Sequence, residues 1–246
     1  MGRSLDLILL THCHYDHVLG EHAVKKLYPS AKTVCSAQAG AIVKRGSALA
    51  FMERMDAGAA KDAGVSPAKD FSAPTPDVVL EDDGEIRSGD MTIRMIATPG
   101  HTRCSVSYLF LEENLLATSE TTGAAPLYPE ICPSFIVSYS QTIEAFNRCE
   151  ALGAEHLLVP HTGRLSGKGA ARFGKLSRQA ADNAASFVRG FYEKGCRPEE
   201  IAEAYYQRFY RKDYAVVQPK RAFLVNTEVM IDRLIRKWDK KSVSAS

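Results

Sequence analysis

Residues 11–17 read Thr11-His12-Cys13-His14-Tyr15-Asp16-His17 and follow directly on the apolar run Leu7-Ile8-Leu9-Leu10. Imidazole and carboxylate are the side chains that hold zinc, iron or manganese. The apolar run reads as a buried strand, and open α/β sheets place their ligand sites at the C-terminal ends of such strands. Alternation along an extended chain turns His12 and His14 to one side and Cys13 to the other. A histidine-rich loop by itself is only a polar loop. It becomes a candidate site if other strand ends supply partners.

Three later strand ends do. Thr92–Ala97 runs into Thr98-Pro99-Gly100-His101-Thr102, Leu115–Thr118 into Ser119-Glu120-Thr121, and His156–Val159 into Pro160-His161-Thr162-Gly163. Each turn presents a histidine or a carboxylate, so the candidate ligands are His12, His14, Asp16, His17, His101, Glu120 and His161. Thr11, Thr102 and Thr121 stand beside ligands and could orient them from behind. His22 and His156 belong to no such motif.

The rest of the composition narrows the field. The 246 residues are 45% hydrophobic and 24% charged, with a net charge of +2, which points away from nucleic acid and from anionic membranes as main partners. The six cysteines show no paired spacing, and Leu5–Leu10 is too short for a signal peptide. With no run of membrane-spanning length, a soluble cytoplasmic protein with reduced thiols is expected.

Patterning predicts short helices over 21–27 and, in two pieces broken near Gly46-Ser47, over 37–63. The segment from Val78 to Ala97 reads as an antiparallel meander, and Gly123–Pro133, with three prolines, reads as a loop. A helix is expected over 141–152. Long amphipathic helices follow over 173–191, from Pro198, and over 221–238, ending in a basic tail. Residues 1–165 form the first expected domain, and 166–246 a helical region packed on it.

The four motifs, in this order and each closing a strand, resemble those of the metallo-β-lactamase superfamily over residues 5 to about 165. The resemblance implies an α/β fold, the αββα sandwich, here N-terminally shortened with a C-terminal helical extension. It implies two divalent metal ions, Zn2+ with Fe or Mn as alternatives. His12, His14 and His101 would hold the first, Asp16, His17 and His161 the second, and Glu120 would bridge. Asp16 would also be the catalytic residue that orients the attacking hydroxide. Two departures stand out. The family's usual bridging residue is aspartate, so Glu120 brings one extra methylene. The strand leading to the histidine motif begins within a few residues of Met1, so an upstream segment or a partner, a second copy included, is expected to complete the sheet.

The implied function is a metal-dependent hydrolase that uses a metal-bridging hydroxide on an ester, thioester or lactone-type bond of a small-molecule substrate. Substrate contacts would come from 37–63, 123–133 and the C-terminal helices, with Tyr15, Tyr128 and Tyr139 as candidate donors. A phosphodiesterase acting on RNA or a nucleotide is the alternative, as is a non-catalytic metal-binding relic. Near-neutral charge weighs against the first, and the complete ligand set against the second.

Overall fold

A computed structural model describes residues 4–66, 72–211 and 220–243, with side chains of the last segment described to residue 239. The end of the basic tail, residues 244–246, lies outside the described residues. The chain divides into two compact units, one within Met1–Ala97 and Cys104–Ala117, the other within Thr98–Arg103 and Thr118–Ser246.

The first unit is built on a parallel sheet of β1 (Leu7–Leu9), β2 (Lys32–Ser36) and β3 (Val78–Leu80), in that order. Helices α1 (Tyr15–Val18) and α2 (Glu21–Leu27) connect β1 to β2, and α3 (Ala37–Val43) and α4 (Gly46–Asp62) connect β2 to β3. An antiparallel meander follows: β4 (Glu85–Ser88), β5 (Met91–Ala97), β6 (Val106–Phe110) and β7 (Leu115–Ala117). Period-two alternation along β1 sorts its side chains between two cores. Leu7 and Leu9 pack with Ile93, Met95, Val106 and Tyr108 of the meander, while Ile8 packs with Val18, Ala39, Val43 and Met52 of the helices. One face of the parallel sheet is therefore covered by helices and the other by a second sheet. This burial on both faces explains the unbroken apolar run that precedes the histidines.

Two local expectations change. Val78–Leu80 is not the first strand of the meander. It pairs parallel with β2, Val34 opposite Val78 and Ser36 opposite Leu80. Asp77 fixes that pairing: its N–H donates to Thr33 O (2.8 Å), while its Oδ2 accepts from Thr33 N (2.7 Å) and Lys25 Nζ (2.5 Å). Gly123–Pro133 is not a plain loop either. It holds a hairpin of β8 (Ala124–Leu127) and β9 (Glu130–Cys132), with Leu127 opposite Glu130 across Tyr128-Pro129, a cis peptide. Pro129 occupies the turn and Pro133 follows β9, while Pro126 lies inside β8 where the register shifts between Ala124 and Leu127, a place where a missing N–H is tolerated.

The hairpin belongs to the second unit. There α5 (Tyr139–Ala151) is capped by Ser138, whose Oγ accepts from Gln141 N. A second hairpin joins β10 (His156–Val159) to β11 (Gly163–Ser166), the latter strand not anticipated from the sequence. Three long helices close the chain, α6 (Lys168–Tyr192), α7 (Pro198–Phe209) and α8 (Lys220–Val243). Their buried stripes meet at Ala181, Ala184, Val188, Ile201, Tyr205, Phe223, Ile231 and Leu234, joined by Phe135 and Phe146. Small residues on α6 leave room for the rings of α7 and α8. None of the described helices is long and apolar enough to cross a membrane.

The Lys25 ammonium and the Thr33 N–H hold the Asp77 carboxyl below the usual carboxylate range. A depressed folded-state pKa stabilises above the unfolded value and is lost as pH falls through the folded one. Because Asp77 is well exposed to solvent, the expected contribution is only about 0.5 kcal/mol. Urea unfolding of Asp77→Asn should show that deficit at pH 7, shrinking below about pH 4.

Candidate metal centre

In the first unit the histidine loop is held before it begins. Leu10 N donates to Val34 O (2.9 Å), Tyr108 Oη to Leu10 O (2.9 Å), and Val106 N to Thr11 O (2.8 Å). The chain stays extended through His14 and then enters α1, with His14 at its N-cap. Extension turns His12 and His14 the same way, and the single helical turn carries Asp16 and His17 after them. The imidazole centroids of His12 and His14 lie 4.8 Å apart, and those of His12 and His17 4.2 Å. His12 is buried, Nε2 of both His12 and His17 is shielded from water, and Asp16 is exposed, with Oδ2 3.4 Å from His17 Nε2. Thr11 Oγ1 lies 3.2 Å from His12 Nδ1, as expected of an orienting neighbour.

Cys13 points away from this cluster. It is buried with Leu10, Val18 and Cys35, and its thiol donates to Ala39 O (3.6 Å). A hydrogen bond with Cys104 and burial push it far above the ordinary thiol range, so it is a packed thiol and no nucleophile.

In the second unit His101, Glu120 and His161 come together. Glu120 opens a 3₁₀ turn after β7, and its carboxylate is shared between two rings: Oε2 lies 2.7 Å from His101 Nε2, and Oε1 lies 2.8 Å from His161 Nε2. His101 is positioned by a tight network. Its N–H donates to Thr121 Oγ1 (3.2 Å), which donates to Thr98 O (2.6 Å), while Thr98 Oγ1 and Ser119 Oγ lie 2.9 Å apart. Gly100 precedes it at φ +144, and a Cβ there would lie 2.2 Å from Thr142 Oγ1 and 2.8 Å from Thr121 Cγ2. His161 sits in the left-handed region, φ +56, in a turn closed by Thr162 N to Val159 O. That conformation is uncommon outside glycine and here aims the ring at Glu120.

Sequence reasoning missed Ser134, distant in the chain and in no motif. Its Oγ lies 2.7 Å and its carbonyl oxygen 3.1 Å from His101 Nδ1. A carbonyl can only accept, so Nδ1 is the donor on that side and Nε2 is the nitrogen turned toward the Glu120 carboxylate. A ring nitrogen and a carboxylate oxygen face each other in this way when a proton or a cation joins them. The candidate donors are three imidazoles and a carboxylate in the first unit and two imidazoles and a carboxylate in the second, side chains suited to zinc, iron or manganese. Ligands about 2.1 Å from one tetrahedral zinc stand about 3.4 Å apart, so the Glu120 pairs would open by about 0.6 Å, within the freedom of a glutamate side chain. The residues fit a metal.

Comparison with known proteins agrees with this chemistry. A family model described as the metallo-beta-lactamase superfamily matches residues 1–161. Glyoxylase B2 of Dictyostelium discoideum is 30% identical over 118 residues, covering 46% of this chain and 34% of that protein. A hydroxyacylglutathione hydrolase of Rhodopseudomonas palustris is 30% identical over 120 residues, 49% of this chain and 35% of that one. The chain thus spans about a third of the length of these curated relatives. Among solved structures, a metallo-beta-lactamase family protein from Thermus thermophilus has a TM-score of 0.63 at 14% identity, covering 96% of this chain and 75% of its own. An archaeal superfamily protein from Sulfolobus tokodaii has a TM-score of 0.58 at 22% identity, covering 74% and 69%. These structural likenesses show the fold.

Ser134→Ala, which removes the hydroxyl beside His101 Nδ1, should weaken metal retention about tenfold or more in a chelator competition. Gly100→Ala should cost about 3 kcal/mol or more in urea unfolding, because the new methyl meets Thr142 and the backbone is left-handed.

Proposed function

This chain is a member of the metallo-β-lactamase superfamily, and from that premise we propose that it is a binuclear metal-dependent hydrolase whose substrate is an acyl thioester. The observation that carries the reading is the Glu120 carboxylate, one oxygen at His101 Nε2 and the other at His161 Nε2. A carboxylate divided in this way would serve two centres at once. His12 and His14 with His101 would hold one divalent cation, and Asp16 and His17 with His161 the other, zinc being the metal that the donor set suits best. A metal pair held by these residues would supply a water acidified to a pKa near ~7 and polarisation of the substrate carbonyl.

The chain's own residues do the rest. His12 and His101 are each buried, so neither ring is exposed to bulk water. Asp16, exposed at the start of α1, would accept a hydrogen bond from the attacking water and set its direction. Thr11 and Ser134 lie at the rear nitrogens of His12 and His101 and hold the rings in place. No thiol competes as nucleophile: Cys13 is packed away, and burial together with the Glu120 charge pushes Cys132 up to about 12. The thioester is preferred to an ester or lactone because the curated relatives include hydroxyacylglutathione hydrolases, which act on an acyl group carried by a thiol.

Metal analysis of the purified chain should find close to two divalent ions, and fewer than one tightly bound ion would sink the binuclear reading. Thioester hydrolysis, followed by release of free thiol, should fall by at least about a thousandfold in His14→Ala and on chelation, returning with added zinc. Activity that survives the substitution would place the reaction elsewhere.

A further inference from the structure

From His156 to Ala181 the chain holds five arginines and lysines and no aspartate or glutamate. Arg178 is engaged, its guanidinium on Asn147 Oδ1 and over the Phe146 ring. The other four, Arg164 on β11 and Lys168, Arg172 and Lys175 on α6, are exposed, and none has an ion-pair partner among the described residues. Elsewhere in the same unit Arg189, Arg197, Arg211 and Arg236 each sit against a carboxylate. Positions 168, 172 and 175 fall within about 60° of arc on one helix face, at its N-terminal end, where the helix dipole adds to the positive potential. Three cations at three- and four-residue spacing on one helix face repel one another without a counter-charge, a cost that an anionic ligand would relieve.

The place of this stripe in the fold ties it to the candidate centre. β11 leaves the His161 turn and leads to α6, a run of about 15 Å of extended chain. The β8–β9 hairpin spans the same interval: Ala125 N donates to Thr162 Oγ1 (2.8 Å) beside His161, and Tyr128 Oη donates to Gly169 O (2.9 Å) at the start of α6. Those two ties are three extended residues apart, about 10 Å, plus the length of a tyrosine side chain. A hydrogen-bonded hairpin thus runs alongside the stretch of chain between His161 and the cations. A ligand that reaches both needs a reactive carbonyl at one end, an extended arm, and a compact cluster of negative charge at the other.

We propose that Arg164, Lys168, Arg172 and Lys175 bind the phosphates of a nucleotide carried at the far end of the thiol arm, so that the substrate is an acyl thioester of a nucleotide-phosphate thiol. The proposal rests on the thioester-hydrolase reading and narrows its substrate. Three cations on one short helix face, with Arg164 on the strand that leads to it, match the few charges of a single nucleotide. An RNA strand would need a longer basic track, and the net charge of +2 leaves little for one.

The test compares two thioesters with the same acyl group, one on a short neutral thiol and one on a thiol arm ending in a phosphorylated adenosine. The metal-loaded full chain should prefer the second in kcat/KM by at least about tenfold at low salt, equal to roughly 1.4 kcal/mol, with the preference eroding as salt is added. In the K168E/R172E/K175E variant the ratio between the two substrates should collapse toward one. A ratio near one in the unmodified chain, or one untouched by the triple change, overturns the stripe's role and leaves the hydrolase reading standing. If neither thioester is hydrolysed, that reading fails, and calorimetry with adenosine 3′,5′-bisphosphate on the metal-free chain still decides the stripe. Binding lost in the triple variant supports it. No binding, or weaker binding than that of a short single-stranded RNA, overturns it.

Discussion

The Glu120 carboxylate, held between His101 Nε2 and His161 Nε2, is the interaction around which the second unit's loops are arranged. A carboxylate can serve two imidazoles only if both approach from opposite sides at hydrogen-bonding distance. Each histidine therefore arrives on an unusual backbone. His101 follows a glycine whose place no side chain could fill, and His161 itself adopts a left-handed conformation. Strain of this kind persists where the surroundings over-determine it, and it concentrates at functional sites.

What over-determines it is a layer of hydroxyls. Thr98, Ser119 and Thr121 hydrogen-bond around the His101 turn, Ser134 closes on its ring, and Thr162 bonds both Pro160 O and Ala125 N beside His161. Thr11 plays the same part in the first unit. Each hydroxyl is short and can both donate and accept, so it satisfies a turn while fixing a histidine in place. The glutamate at 120 fits into this scheme. Its extra methylene gives the carboxylate the reach to present one oxygen to each ring.

Most of the scaffold could be read directly. The apolar run at residues 7–10, the break between α3 and α4, the β5–β7 meander and the three closing helices follow from periodicity, because burial on one or two faces leaves a regular trace. The errors have a common cause. Val78–Leu80 and β11 are strands of three and four residues, too short for alternation to assign a partner. The parallel pairing of β3 depends on Asp77 reaching Thr33 and Lys25, a contact across more than forty residues that no local pattern records. The β8–β9 hairpin is masked by its prolines, one of them inside β8 at the register shift and one in the turn.

The sequence by itself determined the candidate ligand types and the strand ends that carry them, since metal chemistry restricts the side chains and strand geometry restricts where they can stand. It also determined that Cys13 faces away from His12 and His14, because alternation is a local property of extended chain. Only the tertiary structure decided that Glu120 divides its two oxygens between His101 and His161, that Ser134 stands behind His101, and that Gly100 has no room for a methyl group. Those facts depend on turns brought together from distant parts of the chain, and the distances between them are set by packing.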